Sequence, residues 1–471
     1  MEIEGLNAEK KLNNLQNSVL LNLIILKNRE SAMLWIMAGL QVLWLISIGF
    51  LGASSDWGRL IGISIYSLAA VIVVSVFTNR IDPDRLKKFI SLFRDEKRVL
   101  IFLLLTCVLI GTIYAIFQRV WVYDEEENYR IASVFARQGF GEFFNAYVKS
   151  HYFANQHPPL VALVYGSVMK LLGVDLLISR LVSLVFCTGI VWLTYLSGKE
   201  LFDGRTGLFG AALLMTFPLI MRLGTVAMLD IPVTFFFLGS FYLFLLLAEK
   251  PSWWKALLLG LTIMACFMSR YSGIFIIPVL VICALLSAKY RKTIPYLMVA
   301  FLIVGILILG WLYYLHGLDL SVPGISRFLP IGLNPDSTHV KQVVPGWILR
   351  PEGSRIWKWA INSLATRLPS GIGVYNLPVI ALGTLLMVLT RKLPGIMLLI
   401  WIISFTIFLL LTLPDHRYFM PTFPAMALLA GAWLRDRGRV SMQIIILAFL
   451  LLFGAMYLFV DWQREAQLFP L

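Results

Sequence analysis

One feature dominates this chain: uninterrupted apolar runs, each close to the ~20 residues that a helix needs to cross a bilayer, follow one another along its length. They fall at 31–52, 57–78, 99–117, 179–198, 206–223, 231–248, 256–269, 272–288, 294–316, 376–390, 393–413, 418–434 and 440–460, thirteen in all. Backbone groups in hydrocarbon must be satisfied within the segment, so such runs predict helices and an all-α polytopic membrane protein. Composition agrees. Of the 471 residues 59% are apolar and only 14% charged, and a water-soluble domain cannot hide that much apolar surface. Soluble enzymes, disordered proteins and nucleic-acid-binding modules are excluded on this ground.

The net charge of +14 does not reopen the nucleic-acid reading, because the basic residues sit in short clusters between apolar runs. That pattern orients membrane proteins, with Lys and Arg retained on the cytoplasmic side. The segment 79–98 carries seven basic residues, and Lys199/Arg205, Lys250/Lys255, Lys289/Arg291/Lys292, Arg391/Lys392 and Arg435/Arg437/Arg439 mark further short loops. All of them fall on one side, together with the amino terminus, provided that the short apolar piece 159–173 does not span. That piece is therefore expected to lie as an interfacial helix on the outer leaflet. The long segments 118–173 and 317–375 then face outside. No cleavable signal peptide is expected from the polar-to-mixed first thirty residues. Cys107, Cys187, Cys266 and Cys283 fall inside apolar runs without metal-type spacing, and read as small core residues.

Four regions carry chemistry. The first is Tyr123-Asp124-Glu125-Glu126-Glu127-Asn128-Tyr129, directly after a run. Four consecutive acids at a membrane surface are costly unless solvated or used. They suit a solvated helix start, or a general base that takes a proton from an acceptor. The second is His157-Pro158-Pro159-Leu160, whose prolines suit the start of a helix and not its interior; His157 alone reads as a loop residue. The third pairs Asp230, at the mouth of a run, with Ser269-Arg270-Tyr271-Ser272-Gly273 between two runs. Asp230 could cap a helix and Arg270 could anchor at the interface; Arg270 also offers the donor fork that fits phosphate. The fourth is Asp415-His416-Arg417-Tyr418, again either an interfacial anchor or part of a site. The charge-derived topology puts Asp124, Glu125, His157, Asp230, Arg270, His416 and Arg417 on one membrane face. Anchoring does not require acids and cations to converge at one depth. A site for an anionic headgroup does.

In order and placement these motifs resemble the GT-C superfamily of membrane glycosyltransferases, and within it the protein O-mannosyltransferases and lipid A aminoarabinose transferases. The features are Asp124-Glu125, His157–Leu160, Ser179-Arg180-Leu181, Leu229-Asp230, residues 269–273, and Arg417-Tyr418 followed by Pro421 and Pro424. The likeness runs from about Val99 to Leu434. It implies a GT-C fold with about 13 transmembrane helices and interfacial helices in the first large outer loop. It also implies inverting transfer of a sugar from a polyprenyl-phosphate donor to a glycan, lipid or protein acceptor. Asp124 would be the base, and Glu125 would support it or position the acceptor. Arg270, Arg417 and His416 would bind the donor phosphate, and His157, Asp230 and Tyr271 would line the substrate pocket. No metal ligands, no nucleotide sugar and no required cofactor are implied, with a divalent cation left open. The expected location is the plasma membrane, with the site on the extracytoplasmic side.

The chain divides accordingly. Residues 1–98 form a cytoplasmic segment with two extra spans and a basic linker. Residues 99–316 form the catalytic module. Residues 317–375, with Trp347, Arg350 and Trp357, form a possible acceptor lid, and 376–471 the last spans. The lid segment is too short for the luminal domain common in O-mannosyltransferases, and the last span is followed by no soluble domain like that of lipid A transferases. A transporter or flippase of a lipid-linked sugar is the alternative. Against it stand the absence of an internal repeat and the gathering of polar groups at one face instead of the midplane.

Overall fold

The computed structural model describes residues 95–117, 123–150, 152–153, 157–317, 364–365, 368–410 and 416–436, with single positions at 447, 450 and 454. The runs at 31–52 and 57–78, nearly all of that at 440–460, and most of the 317–375 segment lie outside the described residues. Those described are helical, with no strand among them. Four helices are long and apolar enough to cross a membrane unaided: α1 (Glu96–Phe117), α5 (Leu176–Leu201), α8 (Asp230–Glu249) and α12 (Ile294–His316). The chain is membrane-embedded on that basis.

Between them lie shorter pieces. The 118–173 segment folds into α2 (Tyr123–Gln138), α3 (Phe140–Lys149) and α4 (Leu160–Leu172). Helix α6 (Gly204–Leu214) is followed by the short α7 (Pro218–Leu223), and α9 (Trp253–Ser269) by a 3-10 turn (Tyr271–Phe275), α10 (Ile276–Leu285) and α11 (Ala288–Arg291). After the undescribed stretch come α13 (Leu368–Ile372), a 3-10 turn (Val374–Asn376), α14 (Leu377–Thr390) and α15 (Leu393–Leu410). A further 3-10 turn (His416–Thr422) leads into α16 (Phe423–Arg435).

Three apolar runs that read as single spans are broken, each beside proline. The run at 206–223 parts at Met215–Phe217, because Pro218 has no N–H to give and its ring crowds the preceding turn; Phe217 is extended there, at ψ 112°. The runs at 272–288 and 418–434 begin as 3-10 turns, with Pro278 and Pro421 in or just after them. Hydropathy sees length and apolarity, not a missing donor, so these breaks escape a count of spans.

The broken pieces are held closely. A Cβ on Gly198 of α5 would lie 2.6 Å from the Gly207 Cα of α6, and one on Gly431 of α16 would lie 2.7 Å from the Gly210 nitrogen. Backbones meet without side chains between them, which is how membrane helices gain dispersion contact where lipid offers no hydrophobic drive. Around these crossings a large core joins α1, α5–α10, α12 and α14–α16, with Phe237, Phe241 and Trp401 at its centre.

A second core is built differently. Phe135 of α2, Phe143 and Tyr147 of α3, and Tyr165 and Met169 of α4 pack with Phe267, Trp311 and Leu315 from the ends of α9 and α12. In α4 the buried positions Val161, Ala162, Tyr165, Gly166 and Met169 fall on one helical face, while Leu171 and Leu172 are exposed. At 13 residues α4 covers about 20 Å, less than a bilayer's hydrocarbon. The three loop helices thus cap one end of α8, α9 and α12, and the site forms beneath that cap.

Candidate functional site

Helix α2 begins with the acidic run, and its carboxylates diverge instead of clustering. Glu127 takes two hydrogen bonds from Arg130, from Nε and Nη2 at 2.9 and 2.8 Å, and a third from the Ser150 hydroxyl at 2.9 Å. Ser150 Oγ in turn accepts from the Tyr152 and Phe153 nitrogens, which fixes the chain just after α3.

Glu125 faces inward and is fully buried. Arg180 meets it in a bidentate pair, with Nε to Oε1 and Nη2 to Oε2 both at 2.8 Å. The Ala227 nitrogen also donates to Glu125 Oε1, at 3.1 Å, and Arg180 Nη1 donates to the Ala115 carbonyl at 3.2 Å. Four segments are joined here: the end of α1, the start of α2, α5 and the strand of chain before α8. A buried ion pair persists when its lone pairs and protons are satisfied, and most of them are. The same approach to Asp230 is pinned by the Tyr165 hydroxyl, which donates to the Met228 carbonyl at 2.9 Å. Arg180 was legible as an arginine inside an apolar run, which demands a carboxylate. Nothing in the sequence says that the carboxylate is Glu125, 55 residues earlier.

Asp124, next to Glu125, points the other way. Arg417 Nη1 donates to its Oδ2 at 2.5 Å, and both side chains keep about a fifth of their surface, at 19% and 20%. The two lie 293 residues apart in sequence. A second pair stands beside it. Arg270, between α9 and the 3-10 turn, donates from Nη1 to Asp230 Oδ1 at 2.5 Å, with side-chain exposures of 14% and 4%. Asp230 therefore does not cap α8; no side chain caps that helix. The Tyr418 ring ties the pairs together, with the Arg270 guanidinium 3.7 Å and the Arg417 guanidinium 5.6 Å from its centroid, both within cation–π range.

Tyr152 and His157 complete the cluster, with ring centroids 4.4 Å apart. Burial, then the charge of Asp124, pushes the Tyr152 phenol well above its ordinary range. Burial, then Arg270 and Arg417, pushes the His157 imidazole well below its ordinary value. Both groups are therefore neutral at pH 7. His157 Nδ1 is buried with no hydrogen-bond partner among the described residues. So is Asn128 Oδ1, one turn after Asp124, whose carbonyl accepts from Asn128 Nδ2 at 2.7 Å.

Of the residues singled out in the sequence, the structure gathers Asp124, Asp230, Arg270, Arg417 and His157. Glu125 sits in the adjoining buried pair. Tyr271 turns its hydroxyl into the second core, where Trp311 Nε1 donates to it at 3.4 Å. The His416 side chain, and Trp347, Arg350 and Trp357 of the possible lid, lie outside what the structure describes. Tyr152 and Tyr418 were not anticipated as site residues, although Tyr418 stands within a motif quoted above and Tyr152 lies five residues before His157. Among the described residues no three His, Cys, Asp or Glu side chains group as a metal set.

Chemically the arrangement offers two cations beside two carboxylates and two neutral rings, in a partly covered recess. It can hold an anion such as a phosphate and accept a proton next to it.

Two comparisons bear on this geometry. Residues 156–314 match the family described as dolichyl-phosphate-mannose-protein mannosyltransferase. Among solved structures, ArnT from Cupriavidus metallidurans bound to undecaprenyl phosphate aligns with a TM-score of 0.56 at 15% identity, over 72% of this chain and 60% of that one. The same protein in its apo state aligns at 0.54 and 17% identity, with equal coverage. This chain thus spans about three fifths of the length of those relatives. No curated protein matches by sequence. Likeness at this identity shows the fold alone, one shared with ArnT, and in sequence the chain resembles the mannosyltransferase family over residues 156–314.

Proposed function

We propose that this chain is an integral membrane glycosyltransferase that moves a sugar from a polyprenyl-phosphate carrier to an acceptor on the extracytoplasmic face of the plasma membrane. The observation that carries the reading is the pairing of Asp124 with Arg417 and Asp230 with Arg270 around Tyr418. Distant segments deliver matched cations and carboxylates to one recess. The matching family's description and the undecaprenyl phosphate on ArnT support a lipid-phosphate donor. The sugar is a hexose or a pentose, and the acceptor a glycan, lipid or protein.

The chemistry follows from the leaving group. In a polyprenyl-phosphate sugar the anomeric carbon is bonded to a phosphodiester oxygen. The acceptor's hydroxyl or amine attacks that carbon from the opposite face, the carbon–oxygen bond breaks, and its electron pair leaves with the lipid phosphate. The acceptor's proton passes to Asp124. Inversion follows from this single displacement. Lipid phosphate leaves as a stable anion, so the enzyme needs cations at the leaving oxygen, not a general acid. Arg270 and Arg417 supply them, with His416 as a further candidate. One carboxylate near the acceptor suffices, unlike the two of retaining hydrolases. His157, neutral and with Nδ1 unsatisfied, offers a hydrogen bond to a sugar or acceptor hydroxyl. Glu125 positions Asp124 through the Arg180 pair. No cofactor enters these steps. Transfer that survives exhaustive chelation agrees with the scheme, and loss restored by a divalent cation calls for a metal.

The wider frame belongs to the same proposal: about 13 spans, α2–α4 lying at the outer interface, residues 99–316 as the catalytic module, 317–375 as the acceptor lid, and 1–98 as a cytoplasmic segment with two extra spans. The decisive assay incubates the purified protein in vesicles with labelled polyprenyl-phosphate sugar and crude acceptor. Label should leave the lipid fraction with the wild type and stay there with Asp124→Asn, which folds and still binds the donor. An active Asp124→Asn removes Asp124 from the base role. Transbilayer movement of label without its loss from lipid favours the flippase reading.

A further inference from the structure

Both arginines assigned to the donor phosphate are already held by carboxylates, and one of those carboxylates is the assigned base. We propose that the donor unmasks its own base: the phosphate draws Arg417 away from Asp124, so that Asp124 accepts protons only when a donor is in place. This inference rests on the proposed function above.

The two pairs differ in how freely they can open. Arg270 is clamped, with its partner Asp230 almost wholly buried at 4% side-chain exposure and its guanidinium over the Tyr418 ring at 3.7 Å from the centroid. It can keep Asp230 on Nη1 and still turn other N–H groups of its fork toward a phosphate. Arg417 lies farther from the same ring, at 5.6 Å, and in its pair with Asp124 each side chain keeps about a fifth of its surface exposed. An anion entering beside Tyr418 meets both cations, of which Arg417 is the more exposed and the farther from the ring.

Charge counting gives the direction of movement. Among the described residues the resting cluster holds two guanidiniums, two carboxylates, a neutral imidazole and a neutral phenol, a balanced set. The donor's phosphodiester adds one negative charge. Beside Asp124 that charge repels the carboxylate unless a cation moves between them, and Arg417 is already there. Once Arg417 turns to the phosphate, Asp124 is left a bare carboxylate facing the acceptor. After transfer the acceptor's proton sits on Asp124 and the phosphate is a monoester with more charge than before, so Arg417 stays with the product. Loss of the proton to water restores the Asp124 charge, which competes again for Arg417 and helps to release the lipid phosphate. The order of events is donor before acceptor proton transfer, and the resting enzyme carries no naked base to activate water.

The test is binding of a polyprenyl phosphate, without sugar or acceptor, to the full-length protein in nanodiscs. Removing the carboxylate that competes for Arg417 should tighten binding, so Asp124→Asn is expected to bind about threefold more strongly than the wild type, the size of a partly exposed ion pair. Arg417→Gln should bind more weakly, and the double variant should bind no better than Arg417→Gln alone. A structure with the lipid phosphate bound should show Arg417 on the phosphate and beyond ion-pair distance of Asp124. Unchanged or weaker binding by Asp124→Asn, with Arg417→Gln still impaired, overturns the unmasking and leaves the phosphate site intact. Binding unaffected by both Arg417→Gln and Arg270→Gln overturns the phosphate site itself. If Asp124→Asn does not fold, the bound structure decides: an Arg417–Asp124 pair that persists beside the phosphate refutes the proposal.

Discussion

At Asp124 and Glu125, two neighbouring acids on one helix have opposite fates. The helical rotation between consecutive residues sends one carboxylate to the recess and the other into the protein. Glu125 is wholly buried against Arg180, so removing either charge strands the other away from water. Glu125→Gln and Arg180→Ala are each expected to cost about 3–5 kcal/mol of stability, read as a lower melting temperature in detergent. Asp124→Asn at a partly exposed pair should shift melting far less while abolishing transfer. His157 gives a pH signature. Its folded-state pKa lies well below the ordinary 6.5, so below about pH 6.5 the unfolded chain takes up a proton that the folded one refuses. Stability contributed by the neutral imidazole is therefore present above that pH and drains as pH falls toward the folded pKa. His157→Gln should melt with a shallower acid dependence than the wild type; an unchanged dependence would place the titration elsewhere.

At the scale of elements, the sequence located helices well and their interruptions poorly. Apolar length found α1, α5, α8 and α12 within a few residues. It ran straight through Pro218, where the chain breaks between α6 and α7 and frees backbone groups in an apolar interior. A buried lock answers that break. The Tyr375 hydroxyl donates to the Thr216 carbonyl at 2.6 Å, Thr216 Oγ1 lies 3.0 Å from Asn376 Oδ1, and Asn376 Nδ2 donates to the Ile372 carbonyl at 2.7 Å. These partners lie about 160 residues from the break, beyond the reach of any local pattern. Asn376→Leu should cost about 1–3 kcal/mol through the polar groups it leaves unpaired, measured by thermal unfolding. Where Gly207 of α6 meets α5 the backbone leaves no room for a side chain. Gly207→Leu should reduce the folded yield on gel filtration, whereas Gly305→Leu on α12, with none of the described residues within 4 Å of its Cβ position, should not.

At the scale of the whole molecule, the charge pattern of short loops did work that no single motif could. It proposed that acids and cations from distant stretches share one face, and the structure brings Asp124 to Arg417 and Asp230 to Arg270. The specific pairings were not legible, since they depend on how the loop helices α2–α4 pack as a second core over the ends of α8, α9 and α12. Placing that face outside is the claim on which donor, acceptor and direction of transfer all depend. Labelling of single-cysteine variants in intact cells with a membrane-impermeant maleimide tests it. Cysteines at Glu126 and Arg417 bracket the recess, and one at Lys392 marks the opposite, basic face; all three positions retain exposure, and the four native cysteines are buried. The account predicts that 126 and 417 label from outside and 392 only after permeabilisation. Labelling of 126 and 417 from opposite sides, or of 392 together with them, contradicts it.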